Sequence, residues 1–188
     1  MSSKKAQIGM APGAQQYWAN DIFAALQELG VRQAAYVPDA GHATLIDLCR
    51  DAAKIRAIPL STEEEGIALL AGAWLGGEPG VLLMQSSGVG NCINMLAMVR
   101  ECRFPLLMLI TMRGQSGEFN PWQVPMGQAT AGVLREMGVL VHAVEDSAQL
   151  GATVAAVGKQ AFDTNGAAAV LIAQHIVGFK SFAAQETG

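Results

Sequence analysis

The chain has 188 residues, 51% hydrophobic and 15% charged, with a net charge of −4 at neutral pH. That length allows one domain with a full core, and an acidic balance without a basic stripe argues against nucleic-acid binding. No apolar run approaches the ~20 residues of a membrane span. The opening Met1 to Lys5 leads into no apolar signal-peptide stretch, so a cytoplasmic protein is expected. So little charge also implies apolar surface that a partner chain or second copy covers.

Apolar periodicity predicts a regular alternation of helix and strand. Residues 15–29 form an amphipathic helix with Trp18, Ile22, Ala25, Leu26 and Leu29 on one face, stopped by Gly30. A strand over 34–37 is closed by Pro38 and Asp39, and a short helix over 43–52 precedes a strand over 56–60. A helix over 63–75 ends at Gly76-Gly77. The buried strand 80–85 then leaves through a turn at 86–90, followed by a helix over 91–101 and a strand over 105–110. Residues 111–127 read as a long polar loop, and a loop of that length in a compact domain is more often functional than idle. A helix over 129–137, a strand over 139–143, a helix over 147–163 and a strand over 167–172 complete the pattern. Apolar strands separated by helices specify an α/β, doubly wound parallel sheet with helices on both faces. Roughly the first eight and last eight residues are expected to be disordered, as unanchored ends usually are.

In such folds ligands bind beyond the carboxyl ends of the strands, where the strand order reverses. The unusual residues collect there: Pro38 to His42 after the first strand, Glu63 after the second, Ser86 to Gly90 after the third, and 111–125 after the fourth. Glu63, Glu64 and Glu65 open an almost uncharged helix, so at least one carboxylate faces a closed site suited to acid–base work. The alternative is that they only favour the positive end of the helix dipole. Ser87-Gly88-Val89-Gly90-Asn91 is a glycine-rich turn whose amides could meet an anion, although it lacks the lysine of a phosphate loop. A tight turn with a capping asparagine explains it equally. Asn94, polar on an apolar helix, faces either the site or a buried partner. His42 at a strand end is a candidate site residue. Arg113 either clamps an anionic group or pairs with Glu118, and Gln123 is the hydrogen-bonding candidate of the long loop. Cys49, Cys92 and Cys102 show no metal-ligand spacing and are expected to be reduced core thiols.

Three motifs carry a resemblance. They are Val-Pro-Asp at 37–39, Glu-x-x-x-Ile-Ala-x-x-x-Gly from Glu63 to Gly72, and Met-Gln-Ser-Ser-Gly-Val-Gly-Asn at 84–91. Together they resemble the pyrimidine-binding (Pyr) domain of thiamine diphosphate enzymes. The stretch from Met112 to Thr130 is similar to that of the α subunits of sulfopyruvate decarboxylases and the related phosphonopyruvate decarboxylases. The resemblance implies a Pyr domain over residues 9–176, with tails at 1–8 and 177–188. It also implies thiamine diphosphate as cofactor, whose aminopyrimidine is hydrogen-bonded by a glutamate, and decarboxylation of a 2-oxo acid with the cofactor as electron sink. Matching Gly72 selects Glu63 as that glutamate, whereas matching Gly66 selects Glu64; the first register is preferred. Pro38, Gly88, Gly90 and Asn94 would then line the cofactor, and His42, Arg113 and Gln123 would contact substrate.

The family holds the diphosphate and Mg²⁺ through a Gly-Asp-Gly motif on a separate PP domain, and this sequence contains no Gly-Asp-Gly. The resemblance therefore implies a partner β subunit that supplies the motif and the metal, in an α2β2 or larger complex, with no metal ligand from this chain. The segment Asp39 to Thr44 departs from the lysine-containing turn of the phosphonate- and sulfonate-processing relatives. Decarboxylation of 3-sulfopyruvate to sulfoacetaldehyde and CO2 is the reaction the resemblance implies first, and that departure leaves phosphonopyruvate or another 2-oxo acid, and carboligation, as alternatives. A non-catalytic, flavodoxin-like binding subunit is the remaining alternative.

Overall fold

A computed structural model describes residues 14–178. The expected tail 1–8 and the expected disorder of both ends lie outside them. Among the described residues no helix is long and apolar enough to cross a membrane.

Six strands, β1 (Gln33–Tyr36), β2 (Arg56–Pro59), β3 (Gly80–Gln85), β4 (Leu106–Thr111), β5 (Leu140–Val144) and β6 (Ala167–Ile172), form one sheet in the order β2-β1-β3-β4-β6-β5. Every neighbouring pair is parallel. This is the doubly wound α/β sheet read from the sequence. Strand order reverses between β1 and β3, whose in-register residues run from Gln33 opposite Gly80 to Tyr36 opposite Leu83.

The central strands are apolar throughout because each face feeds a separate core. Leu107 and Leu109 of β4 pack with α1 (Ala14–Glu28), α2 (Ala43–Asp51) and α7 (Leu150–Thr164), through Ile22, Leu26, Leu45, Val154 and Val157. Leu106, Met108 and Ile110 point the other way, onto α3 (Glu63–Leu75), α4 (Ser86–Cys92), α5 (Leu96–Cys102) and α6 (Val124–Glu136). Strand alternation sends successive side chains to opposite faces, and each fully buried leucine contributes about 1.5–3 kcal/mol. A short last helix, α8 (Gln174–Val177), was not anticipated; it returns Ile176 and Val177 to the first core, past the domain end expected at residue 176.

The chain differs from the sequence reading in three further places. The turn expected at 86–90 is the helix α4, which starts directly from β3, and neither Gly88 nor Gly90 is among the described glycines with positive φ. The helix expected over 91–101 is interrupted at Ile93–Met95, between α4 and α5. The loop expected to reach residue 127 ends earlier, in a 3-10 turn at Pro121–Gln123 followed at once by α6. Pro125 sits in the first turn of α6, where a missing N–H costs nothing, so it starts that helix rather than prolonging the loop.

Leu107 is fully buried on the central strand. Its replacement by alanine should lower unfolding free energy by about 2–5 kcal/mol in urea titration, as a cavity in a rigid core does.

Candidate active site

The three acids that open α3 have three different environments. Helical geometry turns successive side chains by about 100°, so adjacent residues cannot share a face. Glu65 is exposed, and its Oε2 accepts the backbone N–H of Ser61 at 2.9 Å. Glu64 is half-buried. Glu63 is 9% exposed, and its carboxyl lies on the backbone of Gly88 in α4. A Cβ on Gly88 would overlap both Oε1 and the carboxyl carbon of Glu63. Gly88 is therefore required for close approach, not for an unusual φ. The dipole explanation thus accounts for Glu65, which caps the chain entering the helix, but not for a carboxylate turned inward at Glu63.

Glu63 Oε2 accepts a hydrogen bond from Asn91 Nδ2 at 2.8 Å. Asn91 is the partner that the sequence reading missed. Once 86–92 is a helix, Gly88 and Asn91 are three residues apart and share a face, so one forms the floor under the carboxylate and the other its donor. Asn94, expected at the cofactor, lies exposed in the interruption between α4 and α5, and its backbone carbonyl accepts from Ala97 N at 3.2 Å. The broken helix stops the face of α4 before Asn94. Gly90 is exposed on α4, with Met126 of α6 beside it. Burial, followed by the charges of Glu63 and Glu64, pushes the Cys92 thiol up to about 12, so it stays protonated. Cys49 is buried too, whereas Cys102 is exposed at the end of α5 and corrects the expectation of three core thiols.

A second polar cluster spans the strand ends at the reversal point. Asp39 accepts from Thr111 Oγ1 at 2.6 Å and from Gln85 Nε2 at 3.2 Å, joining the ends of β1, β3 and β4. Gln85 Oε1 accepts from Ser87 Oγ at 2.9 Å, which carries the cluster into the first turn of α4. A small cavity there is lined by Asp39, Gly41, Gln85, Thr111, Arg113 and Gln174. Pro38 is exposed next to it and borders a separate hollow with Tyr36 and Asp47.

The proposed substrate contacts fare differently. His42 is fully buried: its Nε2 lies 3.1 Å from the Leu109 carbonyl, and its Nδ1 has no partner among the described residues. Burial pushes its pKa down, against the opposing pull of Asp39 and the carbonyls of Leu109 and Met84. The ring is thus enclosed within this chain and held at a strand carbonyl rather than presented at its surface. Of the two roles open to Arg113, the structure shows the pairing with Glu118, through Nε at 2.6 Å and Nη2 at 2.5 Å. The guanidinium also stands over the Phe119 ring, 5.7 Å from its centre. Gln123 closes the 3-10 turn, and its Oε1 is buried without a hydrogen-bond partner among the described residues. Among the described residues no hydrogen bond joins Gln123 to Glu63 or Asp39.

Glu118 organises the 112–120 loop. Its side chain is 1% exposed, and it accepts from the N–H groups of Gly114 and Asn120, from Gln174 Nε2, and from Arg113. Gln174 and Gln115 exchange further bonds, tying the loop to the end of β6. Ser86 Oγ accepts from Arg113 N at 3.0 Å, so the loop is also fixed to α4.

Comparison with known proteins identifies the frame around these residues. The family described as "thiamine pyrophosphate enzyme, N-terminal TPP binding domain" matches residues 18–123. A protein of Methanothermobacter thermautotrophicus named sulfopyruvate decarboxylase subunit alpha is 32% identical over 80% of this chain and 92% of its own length. A protein of the same name from Methanococcus maripaludis is 38% identical over 63% of this chain and 71% of its own. A phosphonopyruvate decarboxylase of Streptomyces viridochromogenes is 36% identical over 62% of this chain, but over only 30% of its own length. The fold matches a 2-oxoglutarate:ferredoxin oxidoreductase from Magnetococcus marinus with a TM-score of 0.71, covering 86% of this chain and 29% of that one at 15% identity. This chain belongs to the thiamine pyrophosphate enzyme family, as its N-terminal, TPP-binding domain. The residues present fit an aminopyrimidine: Asn91 holds one oxygen of Glu63, and the other, against Gly88, has no hydrogen bond among the described residues.

Arg113 and the surrounding N–H donors hold the Glu118 carboxyl well below its ordinary value of 4.5, at about 2. A depressed folded-state pKa stabilises above the ordinary value and is lost as pH falls toward the folded one. Melting temperatures of wild type and Glu118→Ala should therefore differ at neutral pH, by the equivalent of about 3 kcal/mol. The difference should shrink as pH falls from 4.5 toward about 2.

Proposed function

We propose that this chain is the α, pyrimidine-binding subunit of a two-chain thiamine diphosphate-dependent 2-oxo acid decarboxylase, with 3-sulfopyruvate as substrate, converted to sulfoacetaldehyde and CO2. The observation that carries the reading is the inward carboxylate of Glu63 seated on Gly88. Relatives named sulfopyruvate decarboxylase subunit alpha support it, one of them matched over 92% of its length. Their designation as a subunit also supports a partner chain. The absence of Gly-Asp-Gly from this sequence supports that partner as the source of the diphosphate and Mg²⁺ site.

When bound, thiamine diphosphate supplies the carbanion and the electron sink for loss of CO2. Glu63 provides an oxygen that holds or shares a proton at the pyrimidine ring, in a position that water reaches little. The missing Cβ of Gly88 lets the carboxyl lie on α4, and α3 and α4 hold it against the sheet. Asp39, Gln85 and Thr111 form the polar wall at the reversal point, next to the face where substrate arrives. Arg113 contributes less to anion binding than a free guanidinium, because Glu118 already takes two of its N–H donors.

Two relatives named phosphonopyruvate decarboxylase support a second substrate, phosphonopyruvate, within the same chemistry. Carboligation would use the same residues and differ only in what captures the intermediate.

The test is CO2 release from 3-sulfopyruvate, phosphonopyruvate and pyruvate by this chain with its Gly-Asp-Gly partner, thiamine diphosphate and Mg²⁺. Release is expected with both chains and not with either alone, fastest for 3-sulfopyruvate. Glu63→Gln should reduce turnover by at least about 100-fold without lowering the melting temperature, in line with removal of a positioned acid–base group. Glu64→Gln should retain turnover within a few-fold. The opposite ranking of the two variants would move the role to Glu64.

A further inference from the structure

We propose that Asn91 is a positioning residue that decides which oxygen of Glu63 carries the proton. This rests on the reading of Glu63 given above and adds to it a residue that the family motif match does not assign. The amide Nδ2 is a donor only, and it lies 2.8 Å from Glu63 Oε2. An oxygen that accepts this N–H is a poor place for a proton, because a hydroxyl there would face a donor. The proton on the carboxyl is therefore directed to Oε1, the oxygen over Gly88 that no described residue hydrogen-bonds. When Oε1 passes that proton to an acceptor nitrogen in line with it, the negative charge left on the carboxylate is stabilised by the Asn91 N–H. When the proton returns, Oε1 receives it again. No other group changes its proton count.

Asn91 is suited to the task by its place on α4. It stands one turn after Gly88, so the residue on which the carboxyl rests and the residue that occupies Oε2 are carried by the same helix. The side chain is otherwise exposed, so the hydrogen bond to Glu63 is its only described contact of this kind and packing does not explain it. The titratable groups around the pair are Glu64 on α3 and the thiol of Cys92 on α4, the latter protonated throughout the neutral range. From α6 the side chain that reaches this turn is that of Met126.

The experiment compares Asn91→Ala, Asn91→Asp and Glu63→Gln in the complex with the Gly-Asp-Gly partner. It follows turnover of 3-sulfopyruvate and, separately, binding of thiamine diphosphate with Mg²⁺ by titration calorimetry. Asn91→Ala should lower kcat by roughly 10- to 100-fold, the size of a hydrogen bond to a charged group. It should leave the substrate KM within about twofold and weaken cofactor binding by roughly tenfold. Asn91→Asp has the same shape but presents an acceptor at neutral pH, so it should bind and turn over as poorly as the alanine variant. As pH is lowered from about 8 to about 5.5 the new carboxyl, beside a second carboxylate, takes up a proton and becomes a donor. Both kcat and cofactor affinity of the aspartate variant should then recover relative to wild type, while those of the alanine variant should not. A purely structural role would not produce that recovery. Asn91→Ala at wild-type activity and affinity with an inactive Glu63→Gln would overturn this inference alone. An aspartate variant that stays impaired at every pH would overturn it as well. A fully active Glu63→Gln would instead overturn the reading on which it rests.

Discussion

The close contact of the Glu63 carboxyl with the backbone of Gly88 is the constraint on which the site depends. A carboxylate loses hydration when it is brought against protein, and it must recover that loss through donors or through a ligand. Here one oxygen has a donor, Asn91, and the other has none among the described residues. The sheet makes this arrangement possible. Because β1 lies between β2 and β3, the helix that follows β2 must cross over β1, and its first turn meets the start of the helix that follows β3. Gly66 allows α3 to lie close on Leu82 and Leu60, which fixes the height at which Glu63 emerges. The position of the Glu63 carboxylate is thus set by the topology of the sheet and by two glycines, not by a flexible loop.

Much of this was legible in the sequence because the determinants are local. The strands announce themselves as apolar runs between glycines and prolines, and parallel pairing follows from the intervening helices. The inward turn of an acid at the start of α3 was legible as an anomaly, since the helix behind it needs no charge for solubility. Other features were hidden for a physical reason in each case. His42 is held by the carbonyl of Leu109, a residue far away in sequence, through Nε2 alone, so its burial could not be read locally. Asn91 was hidden because Ser-Ser-Gly-Val-Gly reads as a turn by composition, whereas packing on β3 and α6 makes it helical. Pro125 reads as a loop residue but occupies the one helical turn that tolerates proline.

The 112–120 loop shows how a charged residue can be structural at a functional edge. Glu118 gathers five hydrogen bonds from four residues, and Arg113 is committed to it while stacking on Phe119. These bonds tie the loop down where it borders the Asp39 cluster. Beyond it, Trp122 is 86% exposed beside the start of α6, and Leu75 is 88% exposed at the end of α3. Large apolar side chains so placed accord with a chain that completes its site against another subunit.

A structure of the two-chain complex with thiamine diphosphate and Mg²⁺ tests the central claim most directly. The account predicts Glu63 Oε1 at hydrogen-bond distance, about 2.6–3.2 Å, from the pyrimidine ring nitrogen, with Asn91 still on Oε2 and the ring resting over Gly88. A pyrimidine nitrogen bonded to Glu64, or a Glu63 carboxyl turned away from the ring, would contradict it.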